Sequence, residues 1–358
     1  MNSVLNPETD RARPKKPLPG ALVLSLDFEL HWGYCDHREL DEKLKHELLA
    51  ARRAVEEMLE LFRRRGVHAS WATVGFLMFG DRDSLMRVAP EADLRPGYLN
   101  GRLDPYRVQT GADEQEDPYH FAAGLVEKIR TTAGQELASH TFSHYYCLEP
   151  GQTGEAFAAD LAAAQKAAGA AKGDTQPLRS IVFPRNQHNP AYADILLDYG
   201  ILAYRGNPRH PLYRPLEQKR DRALWRRAGR LIDTYVNISG HHLQGWDELM
   251  DLPGPIDVRA SRFLRPWSGK LAALEGLKVR RIRNSIREAA RKGSVFHLWW
   301  HPHNFARNMD KNLANLELIL DEFGSCREQY GMNSLNIGEI ADILAECSRN
   351  GTRRYDQA

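Results

Sequence analysis

Cysteine is scarce in this sequence, and its placement argues against a cysteine-based metal cluster. Only four of the 358 residues are cysteines, and no two of them form a CxxC pair or stand at another close spacing typical of metal ligands. Isolated thiols of this kind are typical of reduced cysteines in a cytoplasmic protein. The residues concerned are Cys35, Cys147, Cys326 and Cys347.

A strong charge of one sign and long apolar runs are also missing. The formal net charge is +2, so no global field favours nucleic acid as a partner. No window holds the roughly 20 uninterrupted apolar residues of a membrane span, and residues 1–20 contain no apolar core of a signal peptide. We therefore expect a disordered, proline-rich arm over residues 1–20, and a cytoplasmic protein without a transmembrane segment.

What the sequence does have is an alternation of apolar runs with amphipathic helical patterns. Its 42% of hydrophobic residues can fill a substantial core. ALVLSL (21–26) predicts a strand and residues 41–66 predict a long helix. Repeated strand–helix units indicate an α/β fold with a mainly parallel sheet, either open or closed into a barrel. We expect a single domain over residues 21–350, with loop insertions at about 80–118 and 207–275.

The first predicted strand ends on two acidic residues. In ALVLSLDFELHWG (21–33), Asp27 and Glu29 follow the apolar run, and buried carboxylates cost free energy unless they are paired, hydrogen-bonded or bound to metal. Residues at i and i+2 of an extended chain point to the same side, and the carboxyl ends of parallel strands carry the chemistry of such folds. One acid could simply cap the next turn, but two on one side favour a functional site.

A pair of histidines follows another short strand. In LASHTFSHYYC (137–147), His140 and His144 are four residues apart, so on a helical turn they would share one face and could bind one ion. The HxxxH spacing alone is a weak signal, because the chain has 14 histidines. Combined with strand-end carboxylates, it predicts a hydrolytic metal site of two histidines and one carboxylate with an open coordination position.

Two further strand ends carry an arginine and histidines. In IVFPRNQHNPAY, Arg185 follows a strand directly, where its guanidinium can pair with a carboxylate; a surface arginine beside a turn is the alternative. In VFHLWWHPHNF, either His301 or His303 can donate a proton to a leaving group. His297 lies within the strand, which favours a histidine of the core.

In order, these stretches resemble the motifs of the polysaccharide deacetylase superfamily (NodB homology, carbohydrate esterase family four). SLDFE resembles the first motif in the branch whose two acids are separated by one residue, and SHTFSH resembles the metal-binding histidine motif. HASWATVGFLMFG is similar to the second strand, VFPRNQ to the arginine motif, HLWWHP to the last histidine motif and NSLNIGEIADIL to the C-terminal tail. The match spans about residues 20–348, although the PPY of the arginine motif and a DxxDW motif are absent.

The resemblance implies a distorted (β/α) barrel of about seven strands and a metal-dependent hydrolase that removes an N-acyl group, acetyl in the first instance, from an amino sugar. Asp27 would act as general base, oriented by Arg185, and His301 would protonate the departing amine. One divalent ion, expected to be Zn²⁺, would be held by Glu29, His140 and His144.

We expect the substrate to be a cytoplasmic precursor in surface polysaccharide or O-antigen biosynthesis, carried on a nucleotide or a lipid. Such carriers are anionic, and arginine suits phosphate because its planar fork donates two parallel hydrogen bonds. The stretch RASRFLRPW (259–267) is therefore favoured as a phosphate contact over residues 280–292, whose pattern indicates a solvated helix face. The residues expected to contact substrate are Asn186, Arg262, Arg265 and His303.

Two alternatives stay open at this point. One lies within the same superfamily: deformylation of a formamido sugar, or hydrolysis of the C–N bond of a non-sugar amide. The other is a catalytically silent protein that binds carbohydrate. The second is disfavoured because every expected metal-ligand and acid–base position is filled in this sequence.

Overall fold

The computed structural model of the protein leaves part of the expected N-terminal arm, residues 1–16, outside the described residues. Within the described ranges, no helix is both long enough and apolar enough to cross a membrane. The described ranges are 17–170, 177–213, 224–250 and 254–352.

Strand β1 (Ala21–Phe28) is the centre of the sheet, and all eight of its residues are buried. It pairs in parallel with β8 (Val295–Trp300) on one side. Two strands share the other side, with β9 (Asn333–Leu335) beside the beginning of β1 and β2 (Ala69–Thr73) beside its end. A strand that is buried on both faces favours apolar side chains, which explains why Ser25 is the only polar residue in the run before the two acids.

The other strands extend the sheet in both directions, and all pairings between the described strands are parallel. The strand order is β6-β5-β4-β3-β2-β1-β8-β7, with β9 beside β1. This topology confirms the parallel α/β architecture predicted from the alternation of strands and helices. The remaining strands are β3 (Gln135–Ser139), β4 (Ser180–Ile181), β5 (Ala203–Tyr204), β6 (Ile256–Asp257) and β7 (Arg262–Phe263).

A single segment, residues 256–263, joins the two edges of the sheet. The amides of Val258 and Ala260 donate to carbonyl groups at β5 and just after it, at 2.9 and 3.0 Å. The next amide, from Ser261, donates instead to the carbonyl of His297 on β8, at 2.8 Å. The sheet thereby curls into a distorted barrel, which confirms the expected fold class; its path has eight strands rather than the expected seven.

Ten α-helices formed by the described residues surround the sheet. Helix α1 agrees with the helix predicted over residues 41–66: the side chain of Asp41 accepts the amide of Leu44 at 2.6 Å, and Gly66 ends the helix with a left-handed φ of 58°. The helices are α1 (Glu42–Arg65), α2 (Arg82–Val88), α3 (Ala123–Thr131), α4 (Gly154–Ala170), α5 (Ala193–Asp198), α6 (Leu224–Tyr235), α7 (Trp246–Met250), α8 (Glu275–Lys292), α9 (Met309–Tyr330) and α10 (Ile337–Thr352).

The expectation that residues 207–275 form a loop insertion is wrong. This stretch contains α6 and α7, and it also contains β6 and β7, which close the barrel. Each of these two strands has only two residues, which is too short to produce an alternating pattern in the sequence. Residues 80–118, in contrast, contain one short α-helix and otherwise turns and 3₁₀ segments.

Candidate metal centre and active site

The candidate site lies at the carboxyl ends of the strands, where α/β barrels collect side chains from several strands. Five of these ends contribute charged or imidazole groups, and the first contributes two carboxylates. These residues are Asp27 and Glu29 at the end of β1, His140 after β3, Arg185 after β4, Arg205 after β5 and His301 after β8.

Glu29 is surrounded by three imidazoles. Its Oε1 lies 3.0 Å from Nε2 of His140, 3.4 Å from Nε2 of His144 and 3.6 Å from Nε2 of His301. In a tetrahedral zinc site with bonds of about 2.0–2.1 Å, neighbouring ligand atoms are about 3.3 Å apart. The spacing of Glu29 from the first two histidines therefore suits a divalent ion, and the structure brings together the three ligands that the sequence suggested.

Hydrogen bonding determines which atom of His140 faces Glu29. Nδ1 of His140 lies 2.7 Å from the carbonyl oxygen of Val182, which can only accept, so Nδ1 donates to this carbonyl and Nε2 is the atom that faces Glu29. Nε2 of His144 is buried without a hydrogen-bond partner. Two imidazole nitrogens and a carboxylate that converge in this way fit a cation held between them.

The protonation states also suit metal ligation. Burial alone would raise the pKa of Glu29, but the neighbouring imidazoles hold it well below its usual value. Burial lowers the pKa of His144. A carboxylate and a neutral imidazole are the forms that bind a divalent ion.

Two glycines leave room for this arrangement. A Cβ at Gly33 would lie 2.0 Å from Oε2 of Glu29, and a Cβ at Gly75 would lie 2.7 Å from Cα of Phe142 in the histidine loop. Since real Cβ atoms do not approach other atoms so closely, a side chain at either position would displace the candidate ligands.

The histidine pair does not lie on a helical turn, which corrects the basis of the sequence prediction. Residues 140–147 form an irregular loop, and the two rings meet because Thr141 and His144 have left-handed φ angles of 61° and 57°. The buried carboxylate of Asp160, on α4, accepts the amides of Phe142 at 2.7 Å and of Ser143 at 3.1 Å. These bonds hold the strained loop in place.

Asp27 is paired with Arg205, which the sequence analysis did not identify. Nη1 and Nη2 of Arg205 donate to the two carboxylate oxygens of Asp27 at 2.6 and 2.8 Å, and the guanidinium lies 4.1 Å from the centre of the Trp299 ring. Burial raises the pKa of Asp27, but Arg205 and His301 outweigh it and the pKa is lowered. Asp27 is therefore kept ionised.

Arg185 does not contact Asp27, so the structure corrects the prediction that it orients this acid. Its guanidinium pairs with Asp36 and lies 3.3 Å from Glu149, and it stacks 4.0 Å from the centre of the Tyr146 ring. The sequence did hold a signal for the true partner, because the strand-like stretch ILAYRG (201–206) has an arginine, Arg205, directly before its final glycine.

His301 faces both acids. Its Nε2 lies 3.7 Å from Oδ2 of Asp27 and 3.6 Å from Oε1 of Glu29, and although burial lowers the pKa of His301, these two carboxylates raise it overall. Burial and the nearby His301 lower the pKa of His303 to about 3, so His303 is neutral. His297 is a core residue as predicted, since its Nδ1 donates to the carbonyl of Val258 at 3.1 Å and its Nε2 lies 2.8 Å from Oγ of Ser25.

Two cavities flank the site. The smaller, of about 280 Å³, is lined by His301 and by Asn186, whose side-chain oxygen accepts a hydrogen bond from Arg205 at 2.9 Å. The larger, of about 560 Å³, is lined by His303, and Arg265 lines both.

Of the two arginines expected to contact phosphate, Arg262 already forms an ion pair with a buried carboxylate. It is buried, and its Nη1 donates to Oδ2 of Asp233 at 3.0 Å. The same carboxylate binds Arg281 at 2.8 Å. The structure therefore assigns Arg262 to an internal ion-pair network that joins α6 to α8, and this corrects its expected role in binding substrate.

Comparisons with known proteins give no match to a family model and none to a curated protein. A solved structure described as a candidate polysaccharide deacetylase from Mycobacterium smegmatis is similar with a TM-score of 0.56 and 11% identity, over 94% of this chain and 93% of that one. A probable polysaccharide deacetylase from Pseudomonas aeruginosa has a TM-score of 0.49 and 12% identity, over 90% and 89% of the two chains. A family 4 carbohydrate esterase from Streptomyces lividans has a TM-score of 0.38 and 11% identity, over 86% and 88%. The chain has the fold of the Mycobacterium smegmatis structure.

Proposed function

We propose that this chain is a metal-dependent hydrolase that removes an N-acyl group, acetyl in the first instance, from an amino sugar. The observation that carries the proposal is the convergence of two sets of groups at one end of the barrel. One is the ligand set of Glu29, His140 and His144, and the other is the acid–base pair of Asp27 and His301, whose Nε2 lies 3.7 Å from Oδ2 of Asp27.

The motif order supports an amino sugar as the substrate, and we further propose that this sugar is a cytoplasmic precursor of a surface polysaccharide. It does so by resemblance, since the sequence from SLDFE to HLWWHP carries the superfamily's motifs in their usual order.

The residues have distinct roles in this reaction. A divalent ion bound by Glu29, His140 and His144 would polarise the amide carbonyl and lower the pKa of a water. Asp27, kept ionised by Arg205, accepts the proton of the attacking water as the C–O bond forms. His301, whose pKa is raised, donates a proton to the amine nitrogen as the C–N bond breaks.

Metal binding and hydrolysis should be lost separately in two variants. His140→Ala removes one of three ligands, so elemental analysis should find far less than the one metal ion per chain that we expect of the parent. Asp27→Asn leaves the ligands in place, so metal should stay bound while turnover of an N-acetylated amino sugar falls about a hundredfold or more. His46→Ala, an exposed change on α1, is the control and should alter neither measurement.

Several outcomes would contradict this assignment. Equal metal content in His140→Ala and the parent would remove the ligand set, and loss of activity in His303→Ala but not in His301→Ala would mean that the acid is wrongly chosen. Release of formate instead of acetate would make the enzyme a deformylase. A chain that binds metal and sugar but releases neither acid would be a carbohydrate-binding protein.

A further inference from the structure

Arg265 lies on both cavities beside the candidate metal centre and has no anionic partner. Its Nε donates to Oγ1 of Thr234 at 3.0 Å. Its two terminal nitrogens make no hydrogen bond, and no carboxylate pairs with it, among the residues that the structure describes. A half-buried guanidinium without a counter-charge costs free energy, and the guanidinium of Arg265 faces two cavities.

Hydrogen bonds to its backbone fix the segment that carries Arg265. Nζ of the buried Lys278 donates to the carbonyl oxygens of Arg265 at 2.9 Å and of Pro266 at 3.4 Å, and the amide of Trp267 donates to Oδ1 of Asn312 at 2.6 Å. The guanidinium is thus presented to the cavities from a fixed backbone, which reduces the entropy lost when a ligand binds.

Among the described lining residues, cationic side chains outnumber acidic ones around both cavities. The larger is lined by Arg38, Arg265 and Arg307 and by one acid, Glu47. That acid already pairs with Arg307 and, at 3.2 Å, with Arg38. No described residue that lines the larger cavity therefore offers an unpaired carboxylate to Arg265.

The smaller cavity is lined by Arg230, Arg262 and Arg265, and none of its described lining residues is acidic. Asp233 lies behind it, but Arg262 and Arg281 occupy that carboxylate at 3.0 and 2.8 Å. Burial lowers the pKa of Arg265, and the neighbouring guanidiniums of Arg230 and Arg227 lower it further.

We propose that Arg265 binds an anionic oxygen group, a phosphate ester or a carboxylate, on the amino sugar that reacts at the metal centre. This inference rests on the proposed function, because that function places the reacting amide between the two cavities. Aromatic rings of Tyr34, Tyr235 and Trp267 line the larger cavity and offer apolar faces to a sugar ring, while the planar fork of Arg265 matches two oxygens of a phosphate or carboxylate.

The test compares the parent with Arg265→Gln, Arg265→Lys and a control, Arg280→Gln. Arg280 is exposed on α8 and lines neither cavity. The substrates are N-acetylglucosamine, which is neutral, its 1-phosphate, which carries a phosphate, and N-acetylglucosaminuronate, which carries a carboxylate. Binding of inorganic pyrophosphate, followed by calorimetry, gives a readout that does not depend on turnover.

Arg265→Gln should weaken pyrophosphate binding about tenfold or more. It should raise KM by a similar factor for the charged sugars and leave N-acetylglucosamine unchanged. Arg280→Gln should match the parent throughout. The ratio of the KM values of the two charged substrates identifies the preferred anion. Arg265→Lys, which keeps the charge without the planar fork, should give an intermediate KM. If Arg265→Gln lowers Tm, Arg265→Lys replaces it in the comparison.

Equal pyrophosphate affinity in the parent and Arg265→Gln would overturn the inference, because binding would then occur at the metal centre alone. Equal losses on charged and neutral sugars would overturn it as well. If the parent hydrolyses none of the sugars and pyrophosphate binding still depends on Arg265, the proposed function fails while the anion site stands.

Discussion

At the scale of single residues, Asp27 and Glu29 show how two acids separated by one residue acquire different chemistry from their neighbours. Asp27 faces a guanidinium, which gives it two charge-assisted hydrogen bonds, whereas Glu29 faces imidazole nitrogens. Burying either acid alone would be costly. Each is stabilised by a different partner, which suits the roles that we propose for Asp27 in proton transfer and for Glu29 in metal ligation.

The pairing of Asp27 predicts which arginine matters for turnover. Arg205→Gln removes both charge-assisted hydrogen bonds to the base, so kcat should fall about a hundredfold, with metal content retained and partial recovery in Arg205→Lys. Arg185→Gln, whose partners are Asp36 and Glu149, should cost no more than a few-fold.

The measurement is kcat and KM for each variant, with metal content determined in parallel. A larger loss of kcat for Arg185→Gln than for Arg205→Gln would restore the role that the sequence suggested for Arg185. Both arginines follow short strands in the sequence. Only the barrel's curvature decides which one reaches Asp27, and a linear pattern does not encode that curvature.

At the scale of elements, the histidine loop after β3 depends on a helix that contributes no ligand. Asp160 of α4 accepts two loop amides, and these amides hold a backbone that includes left-handed Thr141 and His144. Precise ligand geometry in metal sites depends on such supporting contacts. The helix is thus part of the site although its sequence, rich in alanine, carries no motif.

Replacing Asp160 should therefore weaken metal binding from a distance. Asp160→Ala leaves two buried amides without an acceptor, so we expect unfolding free energy to fall by about 2–4 kcal/mol. Metal affinity, measured against a chromophoric chelator, should fall about tenfold or more.

Glu155→Ala, an exposed change on the same helix, is the control for this experiment and should leave both quantities unchanged. Unaltered metal affinity in a destabilised Asp160→Ala variant would show that the loop holds its shape without this anchor. Asp160→Asn keeps one acceptor oxygen, so its unfolding free energy and its metal affinity should lie between those of the parent and those of Asp160→Ala.

The same loop shows what the sequence could predict of the site. The residue types and the four-residue spacing selected the two histidines that the structure brings beside Glu29, because any compact turn can bring such residues together. The helical conformation assumed for them was wrong, since left-handed φ angles at threonine and histidine are set by tertiary contacts such as those with Asp160.

At the scale of the whole molecule, the long strands and helices were predictable and the closure of the barrel was not. β1 and β8 are apolar along nearly their full length, and α1 has clear capping signals. β6 and β7 have two residues each, and they form strands only because the edges of β5 and β8 are there to pair with them.

Strand β6, one of the two strands that close the barrel, carries a titratable group that should affect how the stability of the protein depends on pH. Asp257 of β6 is largely buried, and Oδ1 has no hydrogen-bond partner; burial raises its pKa to about 6, despite Arg259. Because the folded state binds this proton more tightly than the unfolded state, stability declines as pH rises from about 4 to about 6 and stays lower above that range.

Asp257→Asn cannot ionise, so it should be more stable than the parent at pH 8, by up to about 3 kcal/mol, and no more stable at pH 4. Urea denaturation at the two pH values measures the difference. Asp198→Asn, an exposed change on α5, should show no such dependence. An advantage of Asp257→Asn that is the same at both pH values would mean that packing, and not ionisation, is responsible.

The eight residues that join the sheet edges also decide how this chain can be shortened. A minimal version made by excising residues 207–275 as a dispensable loop would leave the edges of β5 and β8 without partners, and open edges recruit strands from other molecules. Residues 256–263 therefore have to be retained in any truncated form, whereas the stretch 80–118, which holds no strand of the sheet, can be trimmed without opening the barrel.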